Sequence, residues 1–305
     1  MFANDNSLPR WCLGLVLAIG LTGCGERGAE SAAKKSAGLE DGRYAMQGQI
    51  VDVNTARGTL LVDHEEIPGF MPAMVMEFAV TPGDLANAKA GQRLRGEIYQ
   101  DAEGTFHLEK IWPLDAVAEA KVTAATAALR EDTSIRGRGA YREIGENLPD
   151  FALYDQDGEV VSGARFRGKK VLLNFIYTRC PIATMCPAAV ANMMAVQRQA
   201  AEAGVTDFEL VSISFDPEFD TPGVLREYAD ARGIDTGNYS FLTGPESAIR
   251  DLLKQLGVIA EVQGPLIQHS LATLLIDERG RIIDRADGSQ WKPEKFLARI
   301  APRQS

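Results

Sequence analysis

The sequence predicts an α/β domain with a strand-and-helix sheet in its C-terminal half, preceded by a small all-β five-stranded barrel of OB-like size. Three observations carry this. From residue 144 onward buried-type apolar runs alternate with helix-like stretches. Between residues 44 and 112 five short β-like stretches are separated by turn residues. The 305 residues, 45% of them hydrophobic, suffice to bury two cores. The net charge of -10 comes with no Lys or Arg run that could make a phosphate-binding stripe, which argues against nucleic acid and anionic membrane surfaces as partners.

Taken in order, residues 11–21 form an apolar segment ending in Leu21-Thr22-Gly23-Cys24. It falls short of the ~20 apolar residues that span a bilayer. The ending resembles a bacterial lipobox, although Arg10 is the only positive charge ahead of it and Asp5 offsets that charge. The resemblance implies a signal peptide over residues 1–23 and lipid on Cys24. The protein is then expected in the periplasm or another extracytoplasmic space, held to a membrane by that lipid. Residues 24–43, rich in Gly, Ala, Ser, Lys and Glu, read as a flexible tether.

The barrel is expected over residues 44–112, with strands at 45–53, 59–64, 73–80, 93–99 and 105–112 and turns at Asn54, Gly58, Pro68-Gly69, Pro82-Gly83, Gly91 and Gly104. Residues 113–143 link the barrel to the α/β domain through an Ala-rich helix (115–132) and a loop (133–139). In residues 144–302, strands are expected at 170–177, 208–215, 270–276 and 281–285. Helices are expected at 187–203, 222–232, 247–256 and 293–300.

Of four cysteines, Cys12 leaves with the signal and Cys24 carries lipid, so Cys180 and Cys186 remain as free thiols. They bracket the turn between the apolar strand at 170–176 and the helix that Pro187 opens. A helix N-terminus favours thiolate over thiol, so the pair is suited to exchange electrons or to hold a soft metal. In an oxidising compartment the two would otherwise close on each other, and a structural disulfide is the plain alternative.

The stretches Tyr177-Thr178-Arg179-Cys180-Pro181 with Cys186-Pro187, Ser212-Ile213-Ser214-Phe215-Asp216-Pro217 with Asp220-Thr221-Pro222, Phe241-Leu242-Thr243-Gly244, and His269-Ser270 resemble the SCO/SenC copper proteins in order and content. The resemblance implies a thioredoxin-like fold and copper bound by Cys180, Cys186 and His269. Thiolates and an imidazole independently suit Cu(I), with Cu(II) as an alternative at this set, and three ligands leave the ion open to exchange. Five residues separate the cysteines here where the family has three, which lengthens the loop and brings Met185 close. Asp216 and Asp220 lie beside prolines and read as caps and turns rather than a hard-metal site.

The stretch from His64 to Phe78 holds Met71, Met74 and Met76. On a strand Met74 and Met76 share a face, and His64 ends the preceding strand. The stretch resembles the CusF-like periplasmic copper-binding proteins, which implies Cu(I) on His64, Met74 and Met76. Where that family places a shielding tryptophan this chain has Met71. The plain alternative is that these methionines pack the barrel. Met193 and Met194 read as packing residues, and His107 receives no role.

These readings converge on a lipid-anchored copper chaperone that loads the binuclear copper centre of a cytochrome c oxidase subunit or another copper-accepting protein, with transfer between the two sites aided by tethering. Two alternatives use the same residues. One is a thiol-disulfide oxidoreductase acting through Cys180 and Cys186, which lacks a Cys-x-x-Cys and a cis-proline opposite the dithiol. The other is a copper-resistance binding protein in which the barrel does the main work.

Overall fold

The computed structural model describes residues 42–137, 139–263 and 266–301, so Cys12, Cys24, the expected signal peptide and most of the expected tether lie outside the described residues. The first domain is a closed barrel of β1 (Tyr44–Asn54), β2 (Thr59–His64), β3 (Met74–Ala79), β4 (Arg93–Gln100) and β5 (Phe106–Pro113), in the order β1-β2-β3-β5-β4. Each strand alternates sides. The inward set Met46, Ile50, Leu60, Val62, Phe78, Leu94, Ile98 and Leu108 forms the core. Closure pairs β4 with β1, which removes sheet edges.

The Pro82-Gly83 step, expected from sequence as a turn, opens a short helix instead, α1 (Pro82–Asn87). Pro occupies its first turn, where an N–H has no partner to lose, and the Thr81 hydroxyl caps it.

The linker helix α2 (Ala116–Arg136) is longer than expected, absorbing part of the predicted loop. It is capped by Asp115, whose Oδ1 accepts from the Ala118 N–H.

The second domain is built on a five-stranded sheet in the order β10-β9-β8-β13-β14. Its members are β8 (Lys170–Ile176), β9 (Phe208–Ser214), β10 (Tyr239–Leu242), β13 (Ala272–Ile276) and β14 (Ile282–Asp287). The β8, β9 and β10 strands run parallel, and β13 is antiparallel to β8. Every residue of β9 is buried, so both faces of the sheet are covered. The covering helices are α3 (Cys186–Glu202), α4 (Pro222–Ala231), α5 (Glu246–Gln255) and α6 (Pro293–Ile300).

Two hairpins have no counterpart in the sequence expectation: β6 (Ala152–Tyr154) with β7 (Val160–Ser162), and β11 (Ala260–Gln263) with β12 (Leu266–His269). Their strands are only three or four residues long, too short for alternation to mark them out.

The barrel packs on the second domain at two places. The Trp112 ring of β5, Val122 of α2, and Ala152 and Tyr154 of β6 form a separate small core. Elsewhere α1 lies against α4, and Asn87 Nδ2 donates to the Gln156 carbonyl at 2.7 Å. Among the described residues no helix is long and apolar enough to cross a membrane.

Candidate metal centres

At the C-terminal end of β8 the chain turns through Tyr177 and reaches Cys180, and α3 begins at Cys186. The longer intervening loop is held at two points. The Met185 N–H donates to the Ile182 carbonyl at 2.9 Å, and the Ser289 hydroxyl donates to the Thr184 carbonyl at 2.5 Å. The third member comes from afar, since His269 closes β12 on its hairpin. The two sulfurs and a ring nitrogen of His269 all lie within 4.8 Å of one another, and neither cysteine is in a disulfide.

The protons in this cluster follow from its partners. His269 Nδ1 faces the Ser270 carbonyl at 3.2 Å. A carbonyl only accepts, so Nδ1 carries the hydrogen and Nε2 presents its lone pair. That nitrogen is 3.6 Å from Cys186 Sγ, placing the thiol as donor. Burial pushes the Cys186 thiol well above its ordinary range, against the expectation that the helix N-terminus would hold it as thiolate. With the side chain fully buried, desolvation outweighs the helix dipole. Burial also lowers His269, which keeps the imidazole neutral and able to bind a metal.

Aromatic rings wall the imidazole. Tyr177 stands edge-on at 5.5 Å and Phe215 lies at 4.7 Å. Burial, and then the contact with Cys180, push the Tyr177 phenol up to about 12. Two carboxylates fix the turn beneath. Asp216 accepts from Arg179 Nε at 2.6 Å, and Arg179 stacks over Phe219 at 4.8 Å. Asp220, fully buried, accepts from the Thr178 N–H at 3.1 Å, the Thr178 hydroxyl and the Ser214 hydroxyl at 2.5 Å. Neither acid belongs to the cluster of possible ligands, consistent with their reading as turn residues. Phe215, Tyr177 and Ser289 join the site without having been expected there. Phe215 and Tyr177 carry only the signal of lying inside the motifs, and Ser289 carries none.

In the barrel, His64 points inward from the end of β2 and is buried. The Glu65 carbonyl, 2.7 Å from Nδ1, again fixes the tautomer, and Nε2 is buried without a hydrogen-bond partner. An orphaned buried nitrogen costs stability unless something binds it. Met74 is directly opposite His64 across the β2/β3 ladder, and Met76 is opposite Val62, so both share the face of His64. Met74 is 47% exposed, whereas Met76 and Met71 pack partly against the barrel core. The backbone of Met71 pairs with Ile67 and closes the preceding turn. The structure thus brings His64 and the methionine strand together at one end of the barrel.

The remaining candidates are structural. His107 bonds Asp101 at 2.7 Å and stacks on Tyr99 at 4.9 Å, pinning the β4–β5 hairpin. Met193 is fully buried, and Met185 and Met194 pack partly against the same core.

Residues 43–113 match the family described as "Copper binding periplasmic protein CusF". Among curated proteins, the chain is 35% identical over 143 residues to a SCO2-like protein of Rickettsia prowazekii, covering 43% of this chain and 64% of that protein. It is 29% identical over 147 residues to the SCO1 protein homolog of Bacillus subtilis, covering 47% of this chain and 75% of that one. Among solved structures it resembles a SCO1/SenC family lipoprotein of Bacillus anthracis, with 27% identity, a TM-score of 0.47, and coverage of 53% of this chain and 97% of that one. Residues 140–303, which contain the whole Cys-Cys-His cluster, match the SCO1/SenC family, and the chain belongs to it.

Proposed function

We propose that this protein is an extracytoplasmic copper chaperone that carries Cu(I) on Cys180, Cys186 and His269, with a second soft-metal site on His64, Met74 and Met76 of the barrel. The observation that carries the reading is the convergence of two unpaired sulfurs and a ring nitrogen within 4.8 Å. Two thiolates and one imidazole are a trigonal set for Cu(I), and a fourth position stays free for the ligand of an acceptor. Cu(II) at the same set is the oxidised alternative. His64 Nε2, buried and unsatisfied beside Met74, supports the barrel site, whose neutral thioethers favour Cu(I) over harder ions. The recipient proposed is the binuclear copper centre of a cytochrome c oxidase subunit. Lipid on Cys24 would hold the protein to a bacterial membrane.

Burial of Cys186 as a protonated thiol disfavours it as the attacking sulfur, so a reductant of partner cysteines would have to use Cys180 as its nucleophile. The test is an anaerobic Cu(I) titration of the reduced chain against a competing chelator. Two tight equivalents are expected, falling to one in the triple variant Cys180→Ala, Cys186→Ala, His269→Ala. An unchanged stoichiometry would remove copper from the thioredoxin-like domain and leave the oxidoreductase reading in its place.

A further inference from the structure

Two helices of this protein begin with the same tripeptide, Thr81-Pro82-Gly83 and Thr221-Pro222-Gly223, and their first turns meet where the barrel sits on the thioredoxin-like domain. The approach is backbone to backbone. A Cβ on Gly83 would fall 2.0 Å from the Gly223 carbonyl oxygen, and one on Gly223 would fall 2.0 Å from Asp84 Oδ1. No side chain fits at either position. Into this contact the fold places the carboxyl of Asp84, a residue only 5% exposed. Among the described residues the carboxyl bonds only Thr81, whose hydroxyl donates to Oδ2 at 2.9 Å and also accepts from the Asp84 N–H at 3.2 Å.

We propose that the crossing of α1 and α4 is a proton-dependent clasp, seating the barrel on the thioredoxin-like domain while Asp84 carries a proton and slackening as Asp84 ionises. The surrounding charges offer no compensation. On α4, Glu227 is a like charge, and Arg226 is taken by Asp157 at 2.5 Å and Asp230 at 3.0 Å. On β5, Glu109 is a like charge bound to Arg43, and Lys110 is held by Glu97 at 3.1 Å. Just past α1, Lys89 faces Glu159 at 3.6 Å. The first turn of α4 favours an anion, and the Thr81 hydroxyl stabilises one. Burial opposes both, and with Glu227 and Glu109 pushes the Asp84 carboxyl up to about 7. A cavity of about 30 Å³ bordered by Asp84, Asn87 and Gly223 leaves room for about one water when the charge forms.

The sign comes from linkage. Freed from the contact, Asp84 returns to the ordinary carboxyl range near 4, so docking takes up a proton between about 4 and about 7. Docking is tightest at the acid end, weakens by up to about tenfold per pH unit through that window, and is level above it.

Hydrogen–deuterium exchange on the full chain at pH 5, 6, 7 and 8, corrected for intrinsic exchange, tests this with peptides covering α1 and the first turn of α4. Protection is expected to fall at least tenfold from pH 5 to 7 and then level off, while peptides of β8 and β9 stay unchanged. Asp84→Asn should hold the pH 5 protection throughout. Gly223→Ala, a wedge in the contact, should remove it at every pH. A pH-independent wild type, a decline shared by β8 and β9, or an Asp84→Asn profile that tracks the wild type would overturn the clasp. Should Asp84→Asn fail to fold, the wild-type scan against its β8 and β9 control still decides the matter.

Discussion

His64 and His269 share a device: each ring gives its Nδ1 hydrogen to the carbonyl of the next residue and leaves Nε2 as its lone-pair nitrogen. The tautomer a metal needs is therefore set before any metal arrives. At His269 the lone pair meets the Cys186 thiol, which burial keeps protonated. Metal binding must displace that proton, so the apparent Cu(I) affinity should rise with pH, up to about tenfold per unit for each proton released. Chelator competition at pH 6, 7 and 8 measures this, and a flat profile would mean that Cys186 is not a ligand. Beneath the loop, Asp220 satisfies three donors at once. Its removal in Asp220→Ala strands them in a dry site and should cost ~3 kcal/mol in urea unfolding. Burial, only partly offset by those bonds, lifts Asp220 to about 6, so the folded state holds its proton to higher pH than the unfolded chain. Stability should consequently fall as pH rises from about 4 to about 6 and level above, and Asp220→Asn should lose that slope. The candidate ligands stood out in the sequence because soft donors are rare and fell in ordered motifs. The rings of Tyr177 and Phe215 were not, because nothing local says that β8 and β9 end beside the same imidazole.

Among the elements, the barrel strands were visible in the sequence because turn residues bracket each run: β2 has the expected bounds, and the other four strands lie within one residue of theirs at each end. The α1 helix was hidden because Pro-Gly signals a turn as readily as a capped helix start. The hairpin that carries His269 was hidden for another reason. Its strands are four residues each and pair only with one another, so the histidine was expected ahead of a sheet strand rather than at the end of β12. Helix α3 shows the opposite case, since Met193 reads as packing in the sequence and is fully buried in the fold. Met193→Ala should cost ~2–4 kcal/mol of stability and leave the number of bound copper ions unchanged. A loss of one equivalent would instead make Met193 a ligand. In β1, Gly48 lies beside His64, and a Cβ there would meet the Asp63 carbonyl oxygen at 2.7 Å and the His64 Cα at 2.9 Å. Gly48→Ala should push β2 outward at His64 and weaken the barrel site while sparing the Cys-Cys-His set. Equal loss at both sites in the Cu(I) titration would contradict this.

For the whole molecule, composition told that two cores exist and not that they are joined. The junction is made by Trp112, Val122, Ala152 and Tyr154, residues more than 30 positions apart from one end of the set to the other in the chain. No motif marks them, because an apolar side chain in a strand looks the same whether it faces its own core or a neighbouring domain. Trp112→Ala should therefore leave both folds intact but loosen their contact, read as faster limited proteolysis within residues 113–143. Cleavage no faster than in the wild type would show that α1 and α4 suffice alone. The same junction also supplies an optical gauge. Of the three tryptophans, Trp11 lies in the leader-like segment and Trp291 is buried edge-on to Phe296 at 5.1 Å, deep in the second domain. Among the described tryptophans only Trp112 stands at the seam, edge-on to Tyr154 at 5.7 Å and under the Arg95 guanidinium at 5.4 Å. A shift of tryptophan emission to longer wavelength without loss of circular dichroism would thus report the parting of the two domains in real time, with no label attached.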